Sequence, residues 1–277
     1  MSERDGFEPG VPCWVDTLQP DPEAAMRFYA GLFGWEFDGP GTMPGDPPGQ
    51  YYVARLRGRD VAGVGSQPAA DAPPTPMWST YVQVDNVDDA AARARDAGGK
   101  VVLEPVDAEP AGRLAAIADP AGAVFCVWDP GDRKGAQLVN EPGAWSMSLL
   151  NTRDPERAKA FYRDLFGWEA EAMDAGGVEF TLFRMPGYVG GEPQQPVPRD
   201  VIATMAPMGD QIPESTPAHW SVDFWVDDLD GTAASADELG GKVVVSPYDI
   251  PNTQLRQAVL ADPQGAMLSV TKVTVPG

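Results

Sequence analysis

The chain has 277 residues, 43% of them hydrophobic and 22% charged, the make-up of a soluble globular protein with apolar material for about two domains. Its net charge of −21 opposes a sequence-independent grip on nucleic acid or on an anionic membrane surface. No apolar run is long enough to span a bilayer and the N-terminus carries no signal pattern, so a cytoplasmic location is expected.

The first strand, around "PCWVDTLQ", turns Trp14, Asp16 and Leu18 to one face by simple alternation. The stretch "DPEAAMRFYAGLFGWE" follows from Asp21. Asp21 is a natural N-cap with Pro22 at the first helical position. Ala25, Phe28, Tyr29, Leu32 and Phe33 fall on one face at helical spacing. Gly34 stops the helix, and Trp35 beyond it is expected in the core. Two loops rich in proline and glycine come next, "GPGTMPGDPPGQ" from Gly39 and "GSQPAADAPPTP" from Gly65, too broken for a helix or a central strand. "WSTYVQVDNVDDAAARARDAGGKVV", from Trp78, reads as strand, acidic cap, helix and Gly-Gly stop. "AAIADPAGAVFCVWDP" reads as strand, Asp-Pro-x-Gly turn and strand.

After an aperiodic segment, "DPGDRKGAQLVNEPG", the whole order recurs. "DPERAKAFYRDLFGWE" from Asp154 matches the first helix at eleven of sixteen positions. "WSVDFWVDDLDGTAASADELGGKVV" from Trp220 and "AVLADPQGAMLSVTK" repeat the later elements. Each half reads as two βαβββ units, with Trp168 the counterpart of Trp35. The boundaries expected are a first domain over 1–130, a linker over 131–142 and a second domain over 143–277. A duplication this complete means two fused half-molecules.

The two FYxxLFGW helices, both Gly-Gly-Lys-Val elements and the "ADPAGAVF" and "ADPQGAML" turns together resemble the vicinal oxygen chelate superfamily, which includes glyoxalase I, bleomycin-resistance proteins and extradiol dioxygenases. The likeness covers nearly the whole chain, twice. It implies an α+β fold of four βαβββ modules, whose curved sheets form two ligand-binding cups. Members with a metal place His, Gln or Glu at set cup positions. Carried over by spacing from the capping Asp, the Gly-Gly and the turn glycine, three of those positions fall here on Trp14 and Met147, on Ser79 and Ser221, and on Cys126 and Ser269. The fourth falls within Val61–Gly65 and Val201–Met205, which supply no strong ligand.

Hydroxyls and one thiol do not hold a hard divalent ion unaided. A single histidine, His219, also rules out a three-histidine site or a two-histidine–one-carboxylate triad within one chain. The expectation is therefore no metal and no cofactor. Cys13 and Cys126 form no metal-ligand spacing.

Alternation then assigns the cup lining. Trp14, Ser79, Cys126, Met147, Leu149, Ser221, Trp225 and Ser269 are candidate ligand-binding residues, and Trp14 and Trp225 are equally readable as filling. Asp16, Tyr81, Asp223 and His219 are the candidate acid–base groups, though strand carboxylates more often bond backbone amides or solvent. The lining is aromatic and thioether with a few polar groups, which suits a mostly apolar organic molecule.

Three functions fit. The first is metal-independent binding or sequestration of a small hydrophobic or aromatic molecule. The second is a metal-free lyase, isomerase, cyclase or hydroxylase-like enzyme on a natural product or reactive aldehyde. The third is a regulatory or interaction protein with a vestigial cup. Fused halves favour a monomer with internal pseudo-twofold symmetry, with a dimer as the alternative.

Overall fold

The computed structural model describes residues 3–43, 47–67, 75–190 and 200–274. The parts of the two expected loops at 44–46 and 68–74 lie outside the described residues. In the first half β1 (Pro12–Gln19), α1 (Pro22–Phe33), β2 (Glu36–Met43), β3 (Gly49–Leu56) and β4 (Arg59–Ser66) make one βαβββ module. A second comprises β5 (Trp78–Gln83), α2 (Val87–Asp96), β6 (Lys100–Ala108), β7 (Gly112–Ala118) and β8 (Val124–Pro130). The second half repeats them as β9 (Trp145–Thr152), α3 (Pro155–Phe166), β10 (Glu169–Asp174), β11 (Glu179–Arg184) and β12 (Val201–Pro207), then β13 (His219–Trp225), α4 (Leu229–Glu238), β14 (Lys242–Asp249), β15 (Leu255–Ala261) and β16 (Met267–Val273). The fold is the expected mixed α+β arrangement of four modules in two curled sheets.

Each half contributes one eight-stranded sheet, ordered β2-β3-β4-β1-β5-β8-β7-β6 and β10-β11-β12-β9-β13-β16-β15-β14. The modules of a half meet at the antiparallel pairs β1–β5 and β9–β13, each flanked by a parallel partner. One element differs from the sequence reading. The segment Gly39–Met43 was expected as loop, yet it is strand. It survives because β2 is an edge, and a register shift between Asp38 and Gly41 absorbs Pro40.

The helices form where their caps predict. Asp21 accepts from the Ala24 N–H at 2.9 Å, Asp154 from the Arg157 N–H at 3.2 Å, and Gly34 and Gly167 end α1 and α3 in the left-handed region. Their apolar faces do not pack within their own halves alone. One core joins Phe28, Tyr29 and Phe33 of α1 and the inner residues of β1, β3 and β4 to α4, Phe224, Leu260 and Leu268 of the second half. The other joins Phe161, Tyr162 and Phe166 of α3 to α2, Ile117, Phe125 and Val127 of the first half.

Buried polar contacts repeat this exchange. The Tyr29 hydroxyl donates to Asp262 Oδ2 at 2.9 Å and the Tyr162 hydroxyl to Asp119 Oδ2 at 3.2 Å. Trp78 Nε1 and Trp220 Nε1 donate back to those tyrosines at 3.1 and 3.0 Å. Trp35 Nε1 reaches the Gly143 carbonyl and Trp168 Nε1 the Gly10 carbonyl, both at 2.7 Å. The recurring glycines belong to the same seam. A Cβ on Gly99 or Gly241 would lie 2.7 Å from Phe161 or Phe28 respectively. The conspicuous repeats, FYxxLFGW, Gly-Gly and Asp-Pro-x-Gly, are therefore the places where one half grips the other. The connecting segment is held too, with Ala136, Leu138 and Val139 buried.

Candidate functional site

With the helices against one face of each sheet, the other face is left as the cup. Strand alternation sorts the residues. On β1, alternation puts Cys13, Val15 and Thr17 on one face and Trp14, Asp16 and Leu18 on the other, with Trp14 and Asp16 buried as well. Neighbouring strands bring Gly63 of β4 beside Asp16, Tyr81 of β5 beside Trp14, Ser79 opposite Asp16, and Cys126 of β8 beside Tyr81.

Asp16 is the centre of this first cup and is 2% exposed. Its Oδ2 accepts from the Tyr81 hydroxyl at 2.7 Å and from the Tyr51 hydroxyl at 3.0 Å. Trp14 Nε1 in turn donates to the Tyr51 hydroxyl at 2.8 Å. The other oxygen, Oδ1, is buried and has no protein partner. Desolvation pushes the Asp16 pKa from an ordinary 3.8 up to about 6, against the pull of the two phenol hydrogen bonds. Burial, and then the Asp16 charge, drive both phenols well above their ordinary range and keep the Cys126 thiol protonated.

Glycine at 63 permits this geometry: a Cβ there would stand 2.0 Å from the Tyr51 hydroxyl. Tyr51 and Tyr81 hold the carboxylate, with Trp14 bonded to Tyr51 and Trp128 against Tyr81. Trp128 meets Tyr81 edge-on at 6.4 Å. Arg133 lies 5.6 Å from the Trp14 ring centroid while its Nη1 pairs with Asp60 at 2.8 Å.

The second cup has a different centre. Its carboxylate is Asp223 on β13, 9% exposed, with Met147 and Ser269 as its strand neighbours. Oδ1 accepts from Thr271 Oγ1 at 2.6 Å and Gln257 Nε2 at 3.3 Å; Oδ2 accepts from Ser146 Oγ at 2.7 Å. Burial again raises its pKa to about 6. Gln257 passes the network outward by accepting from the Tyr248 hydroxyl at 2.6 Å. Ser221 is engaged with the Leu149 carbonyl at 3.3 Å and with Asn151 Nδ2 at 3.1 Å. Leu149, at the position corresponding to Asp16, is half-buried, as is Trp225.

Of the acid–base candidates, then, Asp16 and Tyr81 are brought together. Asp223 and His219 are not: they lie four residues apart on one strand, about 13 Å at the usual rise. The Nδ1 of His219 is 2.9 Å from the Pro217 carbonyl oxygen. Sequence reading missed Tyr51, Arg133, Ser146 and Gln257. Both cysteines are free and buried.

Metal-binding relatives raise the question whether these residues suit a divalent ion. They do not. Trp14, Ser79 and Cys126, and Met147, Ser221 and Ser269, offer no imidazole or carboxylate, and the Cys126 thiol is held protonated. Among the described residues no three His, Cys, Asp or Glu side chains are grouped to hold a metal ion. No helix among them is long and apolar enough to cross a membrane.

Comparison with known proteins agrees with the fold. A family model described as the Glyoxalase/Bleomycin resistance protein/Dioxygenase superfamily matches residues 14–127, and one described as a Glyoxalase-like domain matches residues 147–271. The chain is 38% identical over 276 residues to CFP32 of Mycobacterium bovis, provisionally assigned as a glyoxylase, covering 98% of each chain. It is 34% identical over 280 residues to the anthracycline biosynthesis protein DnrV of Streptomyces peucetius, covering 96% of this chain and 94% of that one. Among solved structures, the Mn(II)-bound glyoxalase from Novosphingobium aromaticivorans superposes with a TM-score of 0.62 at 19% identity, over 96% of this chain and 83% of that one. The 2,3-dioxygenase LapB from Pseudomonas sp. KL28 gives 0.63 at 12% identity, over 98% and 96%. At those identities the structural likeness speaks for the fold alone. On the sequence matches, which run the length of both halves, this chain belongs to the glyoxalase/bleomycin resistance protein/dioxygenase superfamily.

Proposed function

We propose that the chain binds a small, largely apolar organic molecule in its first-half cup, without a metal. The observation that carries this reading is the cup floor itself. Two tyrosines, Tyr51 and Tyr81, hold one buried carboxylate and are backed by Trp14 and Trp128, with no donor set for a cation. Aromatic walls supply burial and stacking, and a single polar centre supplies orientation. The name of DnrV points to polycyclic aromatic guests and that of CFP32 to small carbonyl compounds. The charge of −21 favours guests carrying a positive charge. The fused halves complete each other's cores, so we expect a monomer, working in the cytoplasm.

Titration of EDTA-treated protein with doxorubicin, 2-naphthol and methylglyoxal, followed by tryptophan fluorescence and calorimetry, tests this. Micromolar binding of an aromatic guest with EDTA present is expected. Binding that appears only on adding Mn2+ or Zn2+, or no binding across the panel, overturns it; the latter points to a vestigial cup.

A second reading, proton-transfer catalysis, is favoured by one observation: the Asp16 carboxylate is buried with Oδ1 unpartnered, and desolvation raises its pKa toward that of a base useful at neutral pH. Asp16 would take a proton from the bound guest, with the Tyr81 and Tyr51 hydroxyls steadying the carboxyl group. Spectral change of a bound guest in wild type that stops in Asp16→Asn, while binding persists, distinguishes an enzyme from a binder.

A further inference from the structure

The two carboxylates differ in what they have left to offer. Asp223 spends both oxygens on Ser146, Thr271 and Gln257. Asp16 gathers two phenols on Oδ2 and leaves Oδ1 buried with no protein donor. The neighbouring hydroxyls cannot serve both oxygens. Tyr81 and Tyr51 each have one proton, already given to Oδ2, and Trp14 Nε1 is committed to Tyr51. A buried carboxylate oxygen without a donor is costly, and native proteins leave few such groups without a purpose. The matching position in the other half is Leu149, whose side chain has no polar atom to offer.

We infer that Asp16 Oδ1 is the anchoring acceptor for a hydrogen-bond donor on the guest. The ligand class is therefore an apolar ring system bearing a free hydroxyl, phenol, enol or protonated amine, bound once per chain in the first cup. This rests on the cup reading above and narrows it. A ketone, an ether or a carboxylate presents no proton to Oδ1 and meets repulsion there. A phenol satisfies it. A site built to receive a donor rejects the analogue lacking one far more strongly than an apolar pocket rejects a methyl group.

The test is calorimetry on the EDTA-treated full chain with 2-naphthol and its methyl ether, 2-methoxynaphthalene. One 2-naphthol per chain is expected, bound at least tenfold more tightly than the ether. In Asp16→Asn the amide oxygen keeps the two tyrosine hydroxyls and the NH2 group takes the place of Oδ1. The preference should then collapse to below threefold or invert in favour of the ether. A wild-type preference under threefold, two guests per chain, an unchanged preference in Asp16→Asn, or no binding of 2-naphthol overturns the assignment. Should Asp16→Asn fail to fold, the wild-type ratio and stoichiometry still decide it. Failure of every guest in the wider panel sinks the cup reading itself, whereas tight binding of a guest without a donor sinks only this inference.

Discussion

In the first half the buried carboxylate stands on β1, as Asp16; in the second it stands on β13, as Asp223, at the position that Tyr81 holds in the first. Among the described residues, two sheets of one topology thus carry one buried strand carboxylate each, on different strands, with different partners. Phenols serve Asp16, whereas hydroxyls of Ser146 and Thr271 and an amide serve Asp223. The cores under the cups diverge less, the extra Gln19 contact to Asp262 aside, since Thr152 stands at the matching position. Tyr29–Asp262 mirrors Tyr162–Asp119, and Trp35–Gly143 mirrors Trp168–Gly10. The difference teaches where constraint lies. The paired contacts that cross between halves tie both copies together, whereas the partners of each cup carboxylate come from its own sheet.

The largest effects should show the symmetry of the cores. Trp35→Ala and Trp168→Ala each remove a buried indole and its hydrogen bond, so each should cost about 3–5 kcal/mol. Because each core draws on both halves, each variant should still unfold in one transition. Urea denaturation followed by both fluorescence and far-UV dichroism checks this. Two separated transitions, with only the mutated half destabilised, would break the picture of shared cores.

Next come the carboxylates. Both have folded pKa values of about 6 against an ordinary 3.8. A raised carboxyl pKa contributes stability that is complete below 3.8 and is lost as pH rises through 6. Each shift is worth about 3 kcal/mol in all, and about half of that is lost above pH 5, clear of the isoelectric point near 4.2. Asp16→Asn and Asp223→Asn should each remove this pH-dependent loss, seen as a stability difference from wild type that grows between pH 5 and 7.5. The pH-independent part should separate the cups. Asp223→Asn turns an NH2 group toward groups that donate on either oxygen and should cost about 1–2 kcal/mol more than Asp16→Asn, whose buried Oδ1 meets no protein donor. Equal offsets would mean that the two carboxylates are equally saturated. Of similar size, Tyr29→Phe and Tyr162→Phe each delete a buried hydrogen bond to a carboxylate and leave the Trp78 or Trp220 Nε1 without its acceptor, and should cost about 2–3 kcal/mol in the same assay.

How much of this the sequence discloses follows the same division. The helices, the Gly-Gly stops and the Asp-Pro turns are legible because they recur, and they recur because the shared cores demand both copies. Asp16 and Tyr81 are legible because period-two alternation along β1 and β5 puts both on the face that holds Trp14 and Ser79. Tyr51 is not, because β3 follows a proline- and glycine-rich loop, and only sheet pairing, past the bare backbone of Gly63, brings its hydroxyl to Asp16. Ser146 is hidden for another reason. A register shift at the start of β9 pairs Asp223 with Met147 and Phe224 with Trp145, so the bulged Ser146 reaches a carboxylate that alternation would place across the sheet from it. Arg133 sits in the aperiodic connecting segment, where no pattern announces its approach to Trp14.

The smallest effect should come from the residue whose rarity makes it most conspicuous. His219 is the one histidine of the chain, at the start of β13 on the cup-facing side. Its ring engages the Pro217 carbonyl at a partly exposed position, two residues up the strand from Ser221 and four from Asp223. Loss of one exposed contact of this kind changes stability by about 0.5 kcal/mol or less. His219→Ala should therefore leave the urea midpoint within that range and the affinity for a first-cup guest within twofold, because that guest is held by the other half. A larger drop in affinity would mean that the second cup takes part in binding, and the contrast between an open Asp16 and a closed Asp223 would have to be redrawn with His219 as the second cup's polar contact.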